Sequence, residues 1–217
     1  MEEISEHRID KWETLMFTYE SALKEIATKI DILNNEFIKI HNYNPIEHVT
    51  SRIKSSESIV KKLKRHGLEV NMDNMQNCLS DIAGIRIVCS FTSDIYRIAD
   101  RISSQSDIQV LTVKNYIANP KPNGYKSYHM VVSVPVYLST GPVSVKVEIQ
   151  IRTIAMDFWA SLEHKIRYKF EGKAPQHINE ELKACSDIVN MLDAKMLQLN
   201  EAIIQAKEAQ EEQTGAV

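Results

Sequence analysis

Two long apolar stripes, one at each end of the chain, set the tightest limit on how this sequence can fold. Trp12, Met16, Tyr19, Leu23, Ile26, Ile30, Leu33, Phe37 and Ile40 recur at alternating spacings of four and three. Ile178, Leu182, Cys185, Val189, Leu192, Met196, Leu199 and Ile203 repeat the pattern. A repeat of roughly 3.5 residues held over several heptads keeps one narrow face of a helix apolar. Each end is therefore predicted to be one long helix. Its seam must be covered by the chain's own core or by a helix of another subunit, and two such seams are generous for one small core, which favours assembly. Residues 205–217 are polar and acidic and are expected to fray.

Between the stripes the period changes. Residues 84–91, 110–114, 128–137 and 143–151 are rich in β-branched side chains that alternate or run apolar, which predicts four or five strands. Residues 58–65, 73–80, 93–104 and 154–170 carry helical spacing. Strands mixed with flanking helices predict an α+β domain, a mixed β-sheet of about five strands with long N- and C-terminal helices. The expected division is a helical oligomerisation segment at 1–42, a middle domain at 43–172, and a C-terminal helix with acidic tail at 173–217.

Composition excludes whole classes of function. The 217 residues include only six glycines, and the nearest pairs are Gly67 with Gly84 and Gly124 with Gly141. Neither a GxGxxG fingerprint nor a GxxxxGK[ST] loop can be written, so any bound phosphates must be held by cationic side chains. No run approaches the ~18 apolar residues of a membrane helix. The acidic start Met1-Glu2-Glu3 carries no secretory signature. Three scattered cysteines, Cys78, Cys89 and Cys185, fit reduced thiols in the cytoplasm better than a disulfide framework or a zinc knuckle.

Chemistry-bearing residues gather in four places. Residues 51–65 (SRIKSSESIVKKLKR) hold Arg52, Lys54, Lys61, Lys62, Lys64 and Arg65 against one acid, Glu57. Ser58 can cap a helix there, and a helix start with clustered cations suits a polyphosphate; a solvated basic face is the plainer alternative. In residues 81–88 (DIAGIRIV), Asp81 precedes an apolar strand, and Arg86 faces away from Ile85, Ile87 and Cys89. A mid-strand arginine needs a salt-bridge partner or a ligand. Residues 121–129 (KPNGYKSYH) form a loop of lysines, tyrosines and a histidine without an acid, a composition that suits a stacked base with its phosphates nearby. In residues 143–152, Val143, Val145, Val147, Ile149 and Ile151 make one face of a strand, and Ser144, Lys146, Glu148, Gln150 and Arg152 the other. Glu148 beside Asp81 would make an oxygen site for Mg2+ with phosphates completing the shell.

Together these segments resemble the RelA/SpoT-type alarmone synthetases, specifically the small single-domain ones and nearest to the RelP type. The matching strings are RIKSSESIVKKLKR, DIAGIRIVCSF, NPKPNGYKSYH and VEIQIRTIAMDFWASLEHKIRYK, spread in order over residues 44–170. The resemblance implies a nucleotidyltransferase-like synthetase domain that transfers pyrophosphate from ATP to the 3'-hydroxyl of GDP or GTP, releasing AMP. It implies that Arg52 and Arg86 flank adenine, a role planar guanidiniums fill better than lysine. It further implies that Lys54, Ser58, Lys62 and Arg65 hold the ATP phosphates, and that Asp81 binds Mg2+. Glu148 would share the metal or draw the proton from the acceptor hydroxyl. Tyr125 would stack on guanine, with Lys121, Asn123 and His129 completing the acceptor site. Asp157 stands where relatives often have Asn and could accept from the guanine N1 and N2 hydrogens. The terminal helices match those with which such enzymes form homotetramers.

Absences narrow the reading. None of the seven histidines is followed by Asp, so the family's hydrolase motif is missing and synthesis without degradation is expected. There is no D-x-D pair, which disfavours polymerase-like nucleotidyl transfer. The competing reading is a non-catalytic RNA-binding oligomer using residues 52–65 and 114–129. The net charge of -3 and the carboxylates Asp81 and Glu148 count against it, as they do against DNA.

Overall fold

The structure, a computed structural model, describes the backbone of residues 2–170 and 174–214, and the side chains of 11–167, 169, 170 and 174–210. In chain order the elements are α1 (Glu2–His41), β1 (Ile46–Ile53), α2 (Ser56–Arg65), α3 (Met72–Cys78), β2 (Ala83–Cys89), α4 (Thr92–Ser103), β3 (Gln109–Asn115), β4 (Tyr128–Leu138), β5 (Gly141–Thr153), α5 (Ile154–Lys169) and α6 (Gln176–Thr214). The five strands form one sheet in the order β1-β2-β5-β4-β3. Among the described residues only the central β2–β5 pair is parallel. The fold is thus the α+β mixed sheet with long terminal helices that the residue pattern predicts.

The alternation in the strands decides which face is core and which is site. Ile85, Ile87 and Cys89 of β2, Met130, Val132 and Val134 of β4, and Val147, Ile149 and Ile151 of β5 are buried in one cluster. Helices α1 and α4 pack over it, contributing Tyr19, Leu23, Ile26 and Ile30 from one and Ile95, Ile98 and Ile102 from the other. Each such side chain, fully buried, stabilises by roughly 1.5–3 kcal/mol. The opposite face carries the polar set. Thr50, Arg86, Gln150, His129 and Lys114 are register partners in one row across all five strands. The next row places Arg52 against Gly84 and Gly84 against Glu148.

Three expectations are revised. Strand β1 does not stand out in the sequence, because Glu47, His48, Ser51 and Arg52 interrupt its few apolar residues on an edge strand. Helix α2 begins at Ser56, and its N-cap is Ser55, whose hydroxyl accepts from the Ser58 amide at 3.4 Å; Ser58 is not the cap. Residues 205–214, expected to fray, continue α6, and 215–217 fall outside the described residues. So does the expected boundary at residues 172 and 173.

The two seams differ in fate. That of α1 is largely covered by the chain's own sheet, although Ile40 remains 72% exposed. On α6, Leu192, Met196, Leu199 and Ile203 are 57%, 49%, 48% and 55% exposed. Among the described residues no helix is long and apolar enough to cross a membrane.

Candidate active site

The polar face of the sheet opens into one continuous cleft. Its narrow end is lined by Thr50, Arg52, Asp81, Gly84, Arg86, Glu148 and Gln150. Its wide end, about 550 Å³, is lined by Lys121, Asn123, Tyr125, His129 and Arg152, with Glu163, His164 and Lys165 of α5 as the far wall. Arg52, Arg86 and Gln150 belong to both ends.

Asp81 sits just before β2 and takes two cations on one oxygen. Lys54 pairs with Oδ2, and Lys62 Nζ of α2 lies 2.7 Å from the same atom. Burial by itself would push the Asp81 carboxyl up, but the hydrogen bonds from Lys54 and Lys62 outweigh it and hold the group below its ordinary value. Its other oxygen, Oδ1, is buried and has no hydrogen-bond partner among the described residues. Such an orphan acceptor next to Glu148 is what a divalent cation would satisfy. Among the described residues no group of three or more His, Cys, Asp and Glu converges as a metal site, so the protein ligands on offer are one or two carboxylates. That suits Mg2+, which keeps waters and substrate phosphates in its shell.

Glu148 projects from the middle of β5. Its Oε2 accepts from Gln150 Nε2 at 2.9 Å, and His129 Nδ1 lies 3.6 Å from Oε1. Burial and the nearby Asp81 charge both push this carboxyl up, but contacts with His129 and Gln150 prevail, leaving it below its ordinary value. It is therefore an unprotonated carboxylate at neutral pH.

The loop between β3 and β4 closes by backbone. Gly124 N donates to Lys121 O at 2.8 Å and Lys121 N to Tyr125 O at 3.1 Å, with Gly124 at φ +89°. Pro at the second position and a left-handed Gly after the turn are the residues this loop geometry needs. Lys121 Nζ lies 4.7 Å from the Tyr116 ring centroid and 4.9 Å from that of Tyr125. Tyr125 Oη is 2.8 Å from His129 Nε2. Asn123 Nδ2 donates to Glu163 Oε1 at 2.9 Å, joining the loop to α5.

The structure brings Arg52, Arg86, Asp81 and Glu148 to the narrow end, with Lys54 and Lys62 on Asp81, and Lys121, Asn123, Tyr125 and His129 to the wide end. Ser58 and Arg65 lie on α2, exposed and outside the lining. Asp157, in the first turn of α5, is engaged by arginines: its Oδ1 accepts from Arg86 Nη1 at 3.1 Å and from Arg152 Nη1 at 3.0 Å. Arg152 is a hub that sequence reasoning left unassigned. Only 6% exposed, it also donates from Nη2 to Tyr125 Oη at 2.7 Å and to Gln150 Oε1 at 3.0 Å, and from Nε to Ser127 Oγ at 3.4 Å. Its signal lay on the same polar strand face as Glu148. Glu163, which pairs with Arg167, offered no comparable signal.

Comparisons with known proteins bear on the family and the fold. Residues 51–173 match the family described as the region found in RelA / SpoT proteins. The chain is 47% identical to GTP pyrophosphokinase YwaC of Bacillus subtilis, over 90% of this chain and 93% of that one. It superposes on the crystal structure of small alarmone synthetase 2 from Bacillus subtilis with a TM-score of 0.80 and 46% identity, covering 88% of this chain and 99% of the other. Against small alarmone synthetase 1 of the same organism, bound to its product pppGpp, the TM-score is 0.82 at 34% identity, over 89% and 98% of the two chains.

Proposed function

From the premise that the chain belongs to the RelA/SpoT family, we propose that its cleft is the active site of a GTP pyrophosphokinase, a (p)ppGpp synthetase that transfers pyrophosphate from ATP to the 3'-hydroxyl of GDP or GTP. The observation that carries this reading is the meeting of two carboxylates, Asp81 and Glu148, between a lysine pair and an aromatic loop in one cleft.

ATP takes the narrow end. Arg52 and Arg86 flank adenine, and Lys54, Ser58, Lys62 and Arg65 meet the phosphates. With ATP bound, Lys54 and Lys62 would pass from Asp81 to phosphate oxygens; Asp81 would then hold Mg2+, and Glu148 would either share the ion or take the acceptor proton. Bound there, the ion supplies charge neutralisation around the transferred group. The acceptor takes the wide end, its guanine on Tyr125 and its phosphates near Lys121, with Asn123 and His129 completing the pocket. Asp157 Oδ2, which carries neither arginine contact, is the atom that would accept from guanine N1 and N2. The acceptor 3'-oxygen attacks the β-phosphorus of ATP. The bond from that phosphorus to the α–β bridging oxygen breaks, AMP leaves, and Glu148 accepts the hydroxyl proton. Such a transfer demands mainly positioning and charge compensation, and base assistance contributes about 10²–10⁴-fold.

Assembly into a homotetramer belongs to the same proposal, supported by the open seam of α6. A cytoplasmic site of action is supported by three free cysteines. The test is product analysis after incubation with ATP, Mg2+ and either GDP or GTP. Wild type should yield AMP and the guanosine tetra- or pentaphosphate. Glu148→Gln should lose at least about 100-fold in turnover while binding a non-hydrolysable ATP analogue near normally; full activity in that variant would remove Glu148 from the mechanism.

A further inference from the structure

The acceptor loop is not held by the synthetase sheet alone. Ser186, on the inner face of α6 and only 2% exposed, donates its hydroxyl to the carbonyl of Gly124 at 2.7 Å. Asn190, one turn later, donates Nδ2 to Ser186 Oγ at 3.2 Å. A serine hydroxyl has one hydrogen, so an oxygen that accepts from Asn190 keeps its hydrogen aimed at the loop. The fit leaves no slack: a Cβ added at Gly124 would fall 2.5 Å from Ser186 Oγ, 2.6 Å from its Cβ and 3.2 Å from Lys183 Cδ. The same face of α6 is fixed to the rest of the site at two further points. Trp159 Nε1 of α5 donates to Leu182 O at 3.0 Å, and Thr153 Oγ1, at the end of β5, donates to Asp193 Oδ2 at 2.8 Å.

We propose that Ser186 is a positioning residue for the acceptor nucleotide and that α6, outside the strings that carry the catalytic groups, is the back wall of the acceptor site. Gly124 lies between Asn123 and Tyr125, so the carbonyl that Ser186 fixes sets the path of both. Without that bond the loop can still close through Lys121 and Tyr125 backbone, but its distance from Glu148 and from the bound ATP is no longer set. The donor end has no contact with α6 in this network. The inference rests on the reading of this loop as the acceptor site, and it assigns to α6 a part in acceptor affinity beyond that of a packing helix.

The experiment is a comparison of KM values for GDP and for ATP in wild type and in Ser186→Ala. Removing the hydroxyl leaves a buried carbonyl unpaired, so the GDP KM should rise roughly three- to tenfold while the ATP KM stays within about twofold. Ser186→Cys keeps a weak donor and should restore part of the difference. If Ser186→Ala melts too low to assay, Asn190→Ala frees the hydroxyl to turn away and should show the same split at smaller size. A GDP KM that ignores these changes, or GDP and ATP KM values that rise together with a lowered melting temperature, assigns Ser186 to packing alone and overturns the proposal. Failure of wild type to make (p)ppGpp would strike the synthetase reading instead, so the two failures are told apart by the wild-type control.

Discussion

Asp81 is the residue on which the site's charge balance turns. One oxygen accepts from both Lys54 and Lys62, and its carboxyl is held below the ordinary value of 3.8. A carboxyl with a depressed folded-state pKa contributes stability that is present above its unfolded value and lost as the pH falls through the folded one. In the absence of nucleotide, the melting temperature of wild type should therefore decline on acidification from about pH 5 toward pH 2.5 more steeply than that of Asp81→Asn. Equal slopes would mean that the lysine pair does not bias Asp81. At this scale the sequence was legible where composition was one-sided: the lysines and arginines of residues 52–65 and the acid-free loop announced themselves. Arg152 and Glu163 did not, because their meaning lies in partners 27 and 40 positions away in the chain, Tyr125 and Asn123. No local pattern encodes such pairings.

At the scale of elements, legibility followed apolar runs. The seams of α1 and α6 and the central strands β2, β4 and β5 carry strong apolar periods and were readable. Of the two edge strands, β3 has no buried residue but was readable from its run Val110-Leu111-Thr112-Val113. In β1 the polar residues Glu47, His48, Ser51 and Arg52 break up the apolar ones and hid it, so burial alone does not decide. The junction that brings β1 into the sheet depends on a lock equally hidden in sequence. Tyr43, just after α1, donates its hydroxyl to Asp94 Oδ2 at 2.6 Å, and the same oxygen accepts from Phe91 N at 3.2 Å. Asp94 is 1% exposed, its Oδ1 has no hydrogen-bond partner among the described residues, and Arg97 lies 3.7 Å from it. Burial pushes the Asp94 carboxyl up, and the Tyr43 hydroxyl partly restrains that rise. Tyr43→Phe should cost about 1–3 kcal/mol at neutral pH. Because the lost bond favoured the ionised carboxylate, the deficit should shrink as the pH is lowered and Asp94 takes up a proton. Urea titrations of the two proteins at several pH values measure it, and a deficit independent of pH would show that Tyr43 acts by packing and not on the charge.

At the scale of the whole molecule, α6 serves two surfaces at once. Its inner face, through Leu182, Ser186 and Asp193, holds α5, the acceptor loop and the end of β5. Its outer face presents Ile188, Met191, Leu192, Met196, Leu199 and Ile203 to solvent in a single chain. A seam of this length, about four turns of helix, is a larger apolar exposure than scattered surface residues produce, and its heptad spacing is the one that helices use to pair. The seam of α1 lacks that freedom because the sheet already covers most of it. Assembly should therefore depend on α6. Replacing Leu192 and Leu199 together with Glu places two charges in the seam without touching the inner contacts. Light scattering should then show a smaller particle than wild type, while circular dichroism reports unchanged helix content. A wild type that already runs as a single chain, or a double variant with the wild-type mass, would mean that α6 does not join the subunits. Because Ser186 lies on the opposite face of the same helix, the double variant also shows whether pairing outside tightens the loop inside: if it does, the GDP KM rises on dissociation while the ATP KM holds.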